Sequence, residues 1–266
     1  MAWIITKEAK TTPKLQNPLF IEGLPGIGNV GKIAVDVLID ELKAEKLYSF
    51  FSHKFPHSVF INEKNMVEMP KLELYYKKFG KRKKRDLLLL TGDIQPIDEE
   101  SCYQFCEEIL QILQQYGCSE MVTTGGIGLQ NIPEKPLVYC TANDQRLLKE
   151  YSSKHLGVEK EIFGVVGPII GVTGILLGLG KRRGVKGAAL LAETFGHPLY
   201  LGVKGAKEIL RVLETHFHFG LDMKKMSKEI VQMEQELMKR SQEWAAEMIH
   251  TKAGAKKVDQ EANYIG

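Results

Sequence analysis

Short, mainly apolar runs along the chain predict the strands of a buried sheet. Runs without polar alternation are typical of strands that are covered on both faces. The runs are residues 18–24, 47–52, 85–92, 120–124 and 137–141. Residues 66–78 instead alternate apolar and polar side chains, which predicts a half-exposed antiparallel strand. We expect the run RDLLLLTG, residues 85–92, to lie at the centre of the sheet.

Between these runs, apolar residues recur every three or four positions, which predicts amphipathic helices. One helix follows the first strand, and its predicted apolar face is Val30, Ala34, Val37, Leu38 and Leu42. Further helices are predicted over 99–116, 143–151 and 205–215, whereas residues 184–194 fit either a strand or a helix. Strands that alternate with helices of this length predict an α/β fold, in which a mostly parallel sheet is covered on both faces.

From residue 222 to about residue 250, the spacing of apolar residues changes to that of a heptad seam. The seam residues are Met226, Ile230, Met233 and Leu237. We predict one long amphipathic helix that packs on the sheet domain or on a neighbouring subunit, so the seam is a candidate partner-binding surface. Residues 251–266 hold few apolar side chains and are predicted to form a mobile tail. The predicted organisation is a core domain over 1–221, a helix over 222–250 and the tail.

The composition excludes a mainly disordered chain, because 44% of the residues are hydrophobic and 26% are charged, as in ordinary globular proteins. A formal net charge of +3 is too small to favour nucleic acid as a partner. The run KKFGKRKKR, residues 77–85, concentrates basic side chains. We interpret it as a solvated hairpin tip, with nucleic acid or an acidic protein surface as the alternative ligand.

Residues 162–180 contain no charge and have the length of a membrane span. Their six glycines and Pro168 favour a short strand, a loop and the start of a buried helix instead. The four cysteines form no CxxC pair, so we expect buried core residues in a reducing compartment. The first residues lack the apolar segment of a secretory signal, and we expect a cytoplasmic protein that contacts no membrane.

A glycine-rich turn, Gly26-x-Gly28-x-x-Gly31, follows the first predicted strand and opens a helix. This context suits a dinucleotide site, because a helix N-terminus and bare backbone can approach a phosphate closely. The acidic residue that would bind the ribose is missing, since His53 and Lys54 follow the second strand. We therefore interpret the three glycines as a structural turn that also allows close packing of the helix on the sheet.

Glycine and polar residues also follow other predicted strands, and the carboxyl ends of parallel strands share one edge of a sheet. Together with the first turn they define a candidate ligand crevice of Gly26, Gly28, Asp93, Gly125, Gly126 and Glu193. In such a crevice Asp93 and Glu193 would suit acid–base chemistry, whereas the alternative is that all six residues form turns and helix caps. The sequence contains no GxSxG, P-loop or HExxH motif, so we expect no catalytic residue, metal site or cofactor.

Five segments, in this order, resemble the archaeal branch of the proteasome assembly chaperone 2 family. They are FIEGLPGIGNVGKIA (20–34), MPKLELYYKK (69–78), RDLLLLTGDIQP (85–96), MVTTGGIG (121–128) and GPIIGVTGILLGLGKRRGVKGAALLAET (167–194). The resemblance implies a three-layer αβα sandwich similar to the purine nucleoside phosphorylases, without an established catalytic function. It also implies homo-oligomers that act as chaperones or adaptors on the proteasome core particle, with proteasome α subunits as partners.

Several members of that family carry a C-terminal tripeptide, hydrophobic-Tyr-any, that enters pockets between proteasome α subunits. In this sequence Tyr264 is third from the end, so this candidate partner-binding residue is shifted by one position. We expect binding to rely on the folded body and the predicted helix over 222–250. The first functional hypothesis is a non-enzymatic homo-oligomeric chaperone or adaptor, and the second is a nucleoside- or nucleotide-binding enzyme that uses the crevice. The fold alone does not decide between them.

Overall fold

The computed structural model of the protein describes residues 3–80, 85–164 and 167–226. The chain divides into two compact units, Met1–Met223 and Lys224–Gly266. In the second unit the described residues are 224–226, which include the seam residue Met226 and are helical. The remaining residues of the predicted helix and tail lie outside the described residues, among them Ile230, Met233, Leu237 and Tyr264.

Strands and helices alternate through most of the described chain. The strands are β1 (Ile4–Lys7), β2 (Leu19–Gly23), β3 (Glu45–Phe51), β4 (Phe60–Ile61), β5 (Val67–Glu68), β6 (Leu72–Lys77), β7 (Leu87–Gly92), β8 (Glu120–Leu129), β9 (Val138–Ala142) and β10 (Lys186–Phe195). The α-helices are α1 (Val30–Leu42), α2 (Glu99–Gln115), α3 (Gln145–Tyr151), α4 (Val172–Arg182) and α5 (Val203–Phe217).

Within the described residues, eight strands form one sheet in the order β1-β3-β6-β7-β2-β8-β10-β9. The four central strands, β7, β2, β8 and β10, run parallel; Leu19 of β2 pairs with Leu87 on one side and with Glu120 on the other. The outer strands β1, β3, β6 and β9 are antiparallel to their neighbours. The predicted parallel arrangement therefore describes the centre of the sheet. The chain between β6 and β7 is too short for a crossover helix, so these strands form an antiparallel pair.

Helices cover both faces of the sheet, α1 and α5 on one face and α2 and α4 on the other. Successive side chains of a strand point to opposite faces, and Phe20 of β2 accordingly joins a buried cluster with Phe105 of α2 and Leu176 of α4. Its neighbours Leu19 and Ile21 are also fully buried. The predicted α/β sandwich with helices on both faces is confirmed.

Four of the five residues predicted for the buried face of α1 are buried, and the fifth, Val37, is half-buried. Its buried residues are Val30, Gly31, Ala34, Val35, Leu38 and Leu42. Val35, which the pattern does not predict, is also buried: it packs against Gly23 of β2, where a Cβ would lie 2.6 Å from Val35 Cγ2.

Three local predictions are decided by the structure. Of residues 184–194, which fit a strand or a helix, residues 186–194 belong to the strand β10. The apolar run predicts a strand that ends at residue 124, but β8 continues through Leu129 and includes Gly125, Gly126 and Gly128. The glycine-rich stretch 162–180 contains a loop over 167–171 and most of α4, whereas the expected short strand is not seen in its described part.

The stretch that has the length of a membrane span is thus divided between a loop and a helix. No helix within residues 3–80, 85–164 and 167–226 is both long and apolar enough to cross a membrane. The four cysteines are buried and free, as predicted. Of the basic run 77–85, residues 81–84 lie outside the described residues.

Candidate binding groove at the sheet edge

A groove of about 680 Å³ opens at the carboxyl ends of β7, β2 and β8. Four segments line it: residues 26–27 after β2, residues 124–128 of β8, residues 95–97 after β7, and residues 167–171 before α4. Three neighbouring parallel strands end at the same edge of the sheet, so the loops that follow them meet around one opening.

The glycines of the turn after β2 adopt two different backbone conformations. Gly26 is extended, with φ −158°, whereas Gly28 has φ +62°, a left-handed conformation that favours glycine. A Cβ on Gly28 would lie 2.7 Å from Thr194 Oγ1, and one on Gly31 would lie 2.4 Å from the Thr124 carbonyl oxygen. Gly28 and Gly31 therefore allow the turn and α1 to pack closely on β10 and β8.

The structure brings together only part of the predicted crevice. Gly26, Gly125 and Gly126 line the groove, whereas Gly28, Asp93 and Glu193 do not. Asp93 pairs with Lys32 at 3.6 Å and accepts a hydrogen bond from the Lys71 backbone N–H at 3.1 Å.

Glu193 is held at the edge strand β9. Its carboxylate accepts hydrogen bonds from the Leu137 backbone N–H at 2.9 Å and from the Tyr139 hydroxyl at 3.3 Å. Asp93 and Glu193 thus each bond to neighbouring segments of the fold and do not form a pair across the groove.

Gln95 joins two walls of the groove, a role that the sequence pattern does not reveal. Its amide Nε2 donates to the Pro25 carbonyl oxygen, and its Oε1 accepts from the Val172 backbone N–H at 3.2 Å. Gly171 makes room for this side chain, because its φ is +81° and a Cβ there would be 2.4 Å from Gln95 Oε1. The loop after β7 is thereby fixed to the loops that precede α1 and α4.

A fully buried carboxyl group, that of Glu22, lies beneath the groove. Its Oε1 accepts from the backbone N–H of Leu24 at 3.1 Å and from the hydroxyl of Thr173 at 3.4 Å, and both of these residues line the groove. Its Oε2 has no hydrogen-bond partner among the described residues. Burial raises the pKa of Glu22 from 4.5 to about 8, so the group is mostly uncharged at neutral pH.

Large apolar side chains are exposed around the groove and farther along the same edge of the sheet. The groove rim, which we define as Ile27, Ile97 and Ile170, is 50%, 71% and 82% exposed. The β4–β5 hairpin lies at the same edge, because it connects the end of β3 to the start of β6, where Leu72 pairs with Gly92 of β7. Exposed apolar surface of this extent is typical of protein-binding sites.

The sequence profile of the PAC2 family matches residues 20–241. The chain belongs to the PAC2 family. This confirms the resemblance that the order of the glycine-rich and apolar motifs indicates. Among curated proteins, the chain is similar to the uncharacterized protein MJ1210 of Methanocaldococcus jannaschii, with 28% identity over 266 residues that cover 100% of this chain and 99% of the relative.

Two solved structures of Pyrococcus furiosus proteins share the fold. PbaB, described as an archaeal proteasome activator, is 35% identical with a TM-score of 0.79, and the match covers 90% of this chain and 99% of PbaB. PbaA, described as an archaeal homolog of proteasome-assembly chaperone, is 24% identical with a TM-score of 0.71, and the match covers 97% of this chain and 100% of PbaA. The similarity to PbaA supports the fold, and the similarity to PbaB extends to the sequence.

Proposed function

We propose that this PAC2 protein is a non-enzymatic, homo-oligomeric chaperone or activator that binds the α subunits of the proteasome core particle in the cytoplasm. Its similarity to PbaB, a proteasome activator, over nearly the whole of that chain supports the choice of partner. The observation that carries the proposal is the chemistry of the groove, which suits an apolar protein segment.

No charged side chain is present among the described residues that line the groove. Its polar side chains already have partners within the fold: Gln95 bonds to two loops, Thr124 donates to the Glu22 carbonyl oxygen, and Thr173 donates to the Glu22 carboxyl. A nucleoside would need polar groups placed to fix its orientation, and a phosphate is held by basic side chains or by several backbone N–H groups that converge on it. The described lining of the groove is mainly apolar and includes no basic side chain, which favours a protein partner over such a ligand.

The groove rim would supply the binding energy. Full burial of an isoleucine side chain contributes about 1.5 to 3 kcal/mol, so covering the exposed parts of Ile27, Ile97 and Ile170 would provide several kcal/mol. Apolar anchors at the centre of an interface typically dominate its affinity. A segment of an α subunit that enters the groove would cover all three residues at once.

Binding of the full-length protein to purified core particles tests this proposal. Ile97→Asp and Ile170→Asp are expected to weaken binding at least about tenfold, because each places a charge in a desolvated apolar contact. Ile4→Asp is the matched control, since Ile4 is 49% exposed but lies on β1, far along the sheet from the groove. The control is expected to bind as the wild type does.

Unchanged binding of both groove variants would contradict the role of the groove. Absence of wild-type binding to any core particle, together with a melting temperature that rises with nucleoside concentration, would support the enzyme hypothesis instead.

A further inference from the structure

At the groove, β8 extends beyond its neighbour β2. The last pair between the two strands joins Glu22 to Thr123, whereas β8 continues to Leu129. The next donor along β2, the backbone N–H of Leu24, bonds instead to the Glu22 carboxyl at 3.1 Å. The chain therefore leaves the sheet after β2, and residues 124–128 of β8 line the groove where β2 would otherwise continue.

The backbone of β8 directs alternate residues to its two edges. Just before β8, the Ser119 carbonyl oxygen accepts a hydrogen bond from the Lys186 backbone N–H of β10 at 3.0 Å. At the end of β8, the Leu129 carbonyl oxygen accepts from the Gly196 backbone N–H, which follows β10, at 2.9 Å. The odd-numbered residues of β8 therefore face β10, because a strand turns the backbone groups of successive residues to opposite edges. The even-numbered residues face β2 and, beyond the end of β2, the groove.

Two glycines turn unpaired backbone groups toward the groove. The N–H and C=O groups of Gly126 and Gly128 have no hydrogen-bond partner on the side away from β10 among the described residues. Gly126 is half-buried and Gly128 is exposed. Proteins commonly protect an open strand edge with charged side chains, Pro or a bulge. Residues 124–129 contain neither a charge nor a Pro, and their pairing with β10 shows no shift of register, so this edge of β8 is open to a further strand.

We infer that the groove binds an extended segment of a proteasome α subunit by strand addition, with the backbone of that segment paired to Gly126 and Gly128 of β8. The inference deepens the proposed function and rests on it for the identity of the partner. The partial charges of the edge indicate this kind of occupant. Donors and acceptors alternate along it, with a repeat of about 6.6 Å, and an extended backbone carries the complementary groups at the same spacing. The N–H groups do not converge on one point, as binding of a phosphate requires.

The two walls of the groove suit the side chains of an added strand, which point alternately to the two faces of the sheet. On the face covered by α1, Ile27 lies close to the open edge, since a Cβ on Gly128 would be 3.3 Å from Ile27 Cγ2. On the face covered by α4, the loop over 167–171 presents the exposed side chain of Ile170. Apolar side chains of the added strand would cover both isoleucines. Backbone pairing would thus supply affinity, and the two walls would select an uncharged, apolar segment.

Binding of full-length Gly128→Pro and Gly128→Ala to purified core particles tests the backbone pairing. Both variants add a Cβ at the same place, but only proline removes the N–H that faces the groove. Neither variant removes a hydrogen bond to β10, because the odd-numbered residues of β8 make those bonds. Gly128→Pro is expected to bind about tenfold more weakly than Gly128→Ala, since a carbonyl group of the partner loses its donor. Circular dichroism checks that the two variants fold alike.

Amide hydrogen exchange of the wild-type protein is a second measurement, and it requires no variant. Fragmentation mass spectrometry resolves the exchange to single residues. The N–H groups of Gly126 and Gly128 are expected to exchange at least about tenfold more slowly in the complex with core particles, because each acquires a hydrogen-bond partner. Ile127 is the internal control, since its N–H faces β10 in the free protein and its exchange should change much less.

Core-particle binding separates the inference from the proposed function. If core particles bind but the exchange of Gly126 and Gly128 is unchanged in the complex, only the inference is overturned. It is equally overturned if both glycines are already protected in the free protein and truncation after Lys252 removes that protection, because the tail of the chain itself then occupies the edge.

If core particles do not bind, the proposed function fails, and the exchange measurement is repeated with a different probe. This probe is a capped hexapeptide of alternating valine and threonine at millimolar concentration. Slower exchange of Gly126 and Gly128 with this peptide would support strand addition independently of the proteasome. Unchanged exchange of both glycines would overturn strand addition as well.

Discussion

Replacement of Glu22 by Gln is expected to stabilise the protein at alkaline pH and to remove most of its pH dependence between pH 4.5 and 8. Gln has nearly the same shape as Glu, and its carbonyl oxygen can accept the hydrogen bonds of Leu24 and Thr173. Its amide takes the place of Oε2, the atom that has no partner among the described residues. The substitution therefore changes the charge of the group while leaving its packing in place.

The direction of the stability change follows from the protonation of Glu22 in the folded and in the unfolded chain. Below pH 4.5 the carboxyl group is protonated in both the folded and the unfolded chain, so stability is unaffected by ionisation. Between pH 4.5 and about 8 only the unfolded chain loses the proton, and the free energy of unfolding falls as the pH rises. At 1.36 kcal/mol for each pKa unit, the loss amounts to at most about 5 kcal/mol. Local relaxation around the charge lowers this value, and we expect at least about 2 kcal/mol.

Urea unfolding at pH 5 and at pH 9 measures the effect. The difference in the free energy of unfolding between Glu22→Gln and the wild type is expected to grow in favour of the variant by at least about 2 kcal/mol from pH 5 to pH 9. Other titrating groups are common to both proteins and cancel in the difference. Glu134→Gln is the control, because Glu134 is exposed in the chain between β8 and β9. A difference that is equal at both pH values would refute the reasoning.

Three further predictions concern the glycine turn, the tail and cofactors. Gly28→Ala should lower the free energy of unfolding, measured in a denaturant titration, by about 1 to 3 kcal/mol, because its φ is +62°. Gly26→Ala should leave the free energy of unfolding nearly unchanged, because a Cβ at that position would meet nothing within 4 Å. Truncation after Lys252 should leave most core-particle binding intact in a co-sedimentation assay, since the groove rim lies on the folded body; complete loss of binding would show that the tail is essential. Nicotinamide and flavin cofactors should not raise the melting temperature, and a rise that grows with cofactor concentration would identify a true ligand.

The side-chain pattern predicts those elements whose faces are uniformly covered. Leu87–Leu90 are fully buried, as the continuous apolar run indicates, and Leu72 and Leu74 of the alternating run are buried within β6. The pattern does not predict β1 or the β4–β5 hairpin. Apolar residues of these strands, such as Ile4 and Ile61, are exposed. Because burial of one face does not constrain these strands, their sequences need not alternate apolar and polar side chains.

The local sequence predicts the position of the candidate site but not the hydrogen-bond partners of its side chains. Strand ends indicate the correct edge of the sheet, and Gly26, Gly125 and Gly126 line the groove there. Which way a carboxylate turns depends on residues far along the chain: Glu193 bonds to the Leu137 backbone, 56 positions away. The hydrogen-bond partners of Gln95 lie 70 and 77 positions away in the sequence, and the periodicity of side chains does not predict contacts over such separations.

The strand order also determines how the sheet can close while the chain is being synthesised. β2, β7 and β8 can pair as soon as residue 129 is available, but the other edge of β8 pairs with β10, which begins at Lys186. Synthesis of the roughly 60 intervening residues takes about 3 to 12 s at 5 to 20 residues per second. During that interval the apolar residues Met121 and Val122 belong to an open edge strand, which is prone to pairing with other chains. The rate of translation between β8 and β10 therefore sets how long the nascent protein is exposed to aggregation.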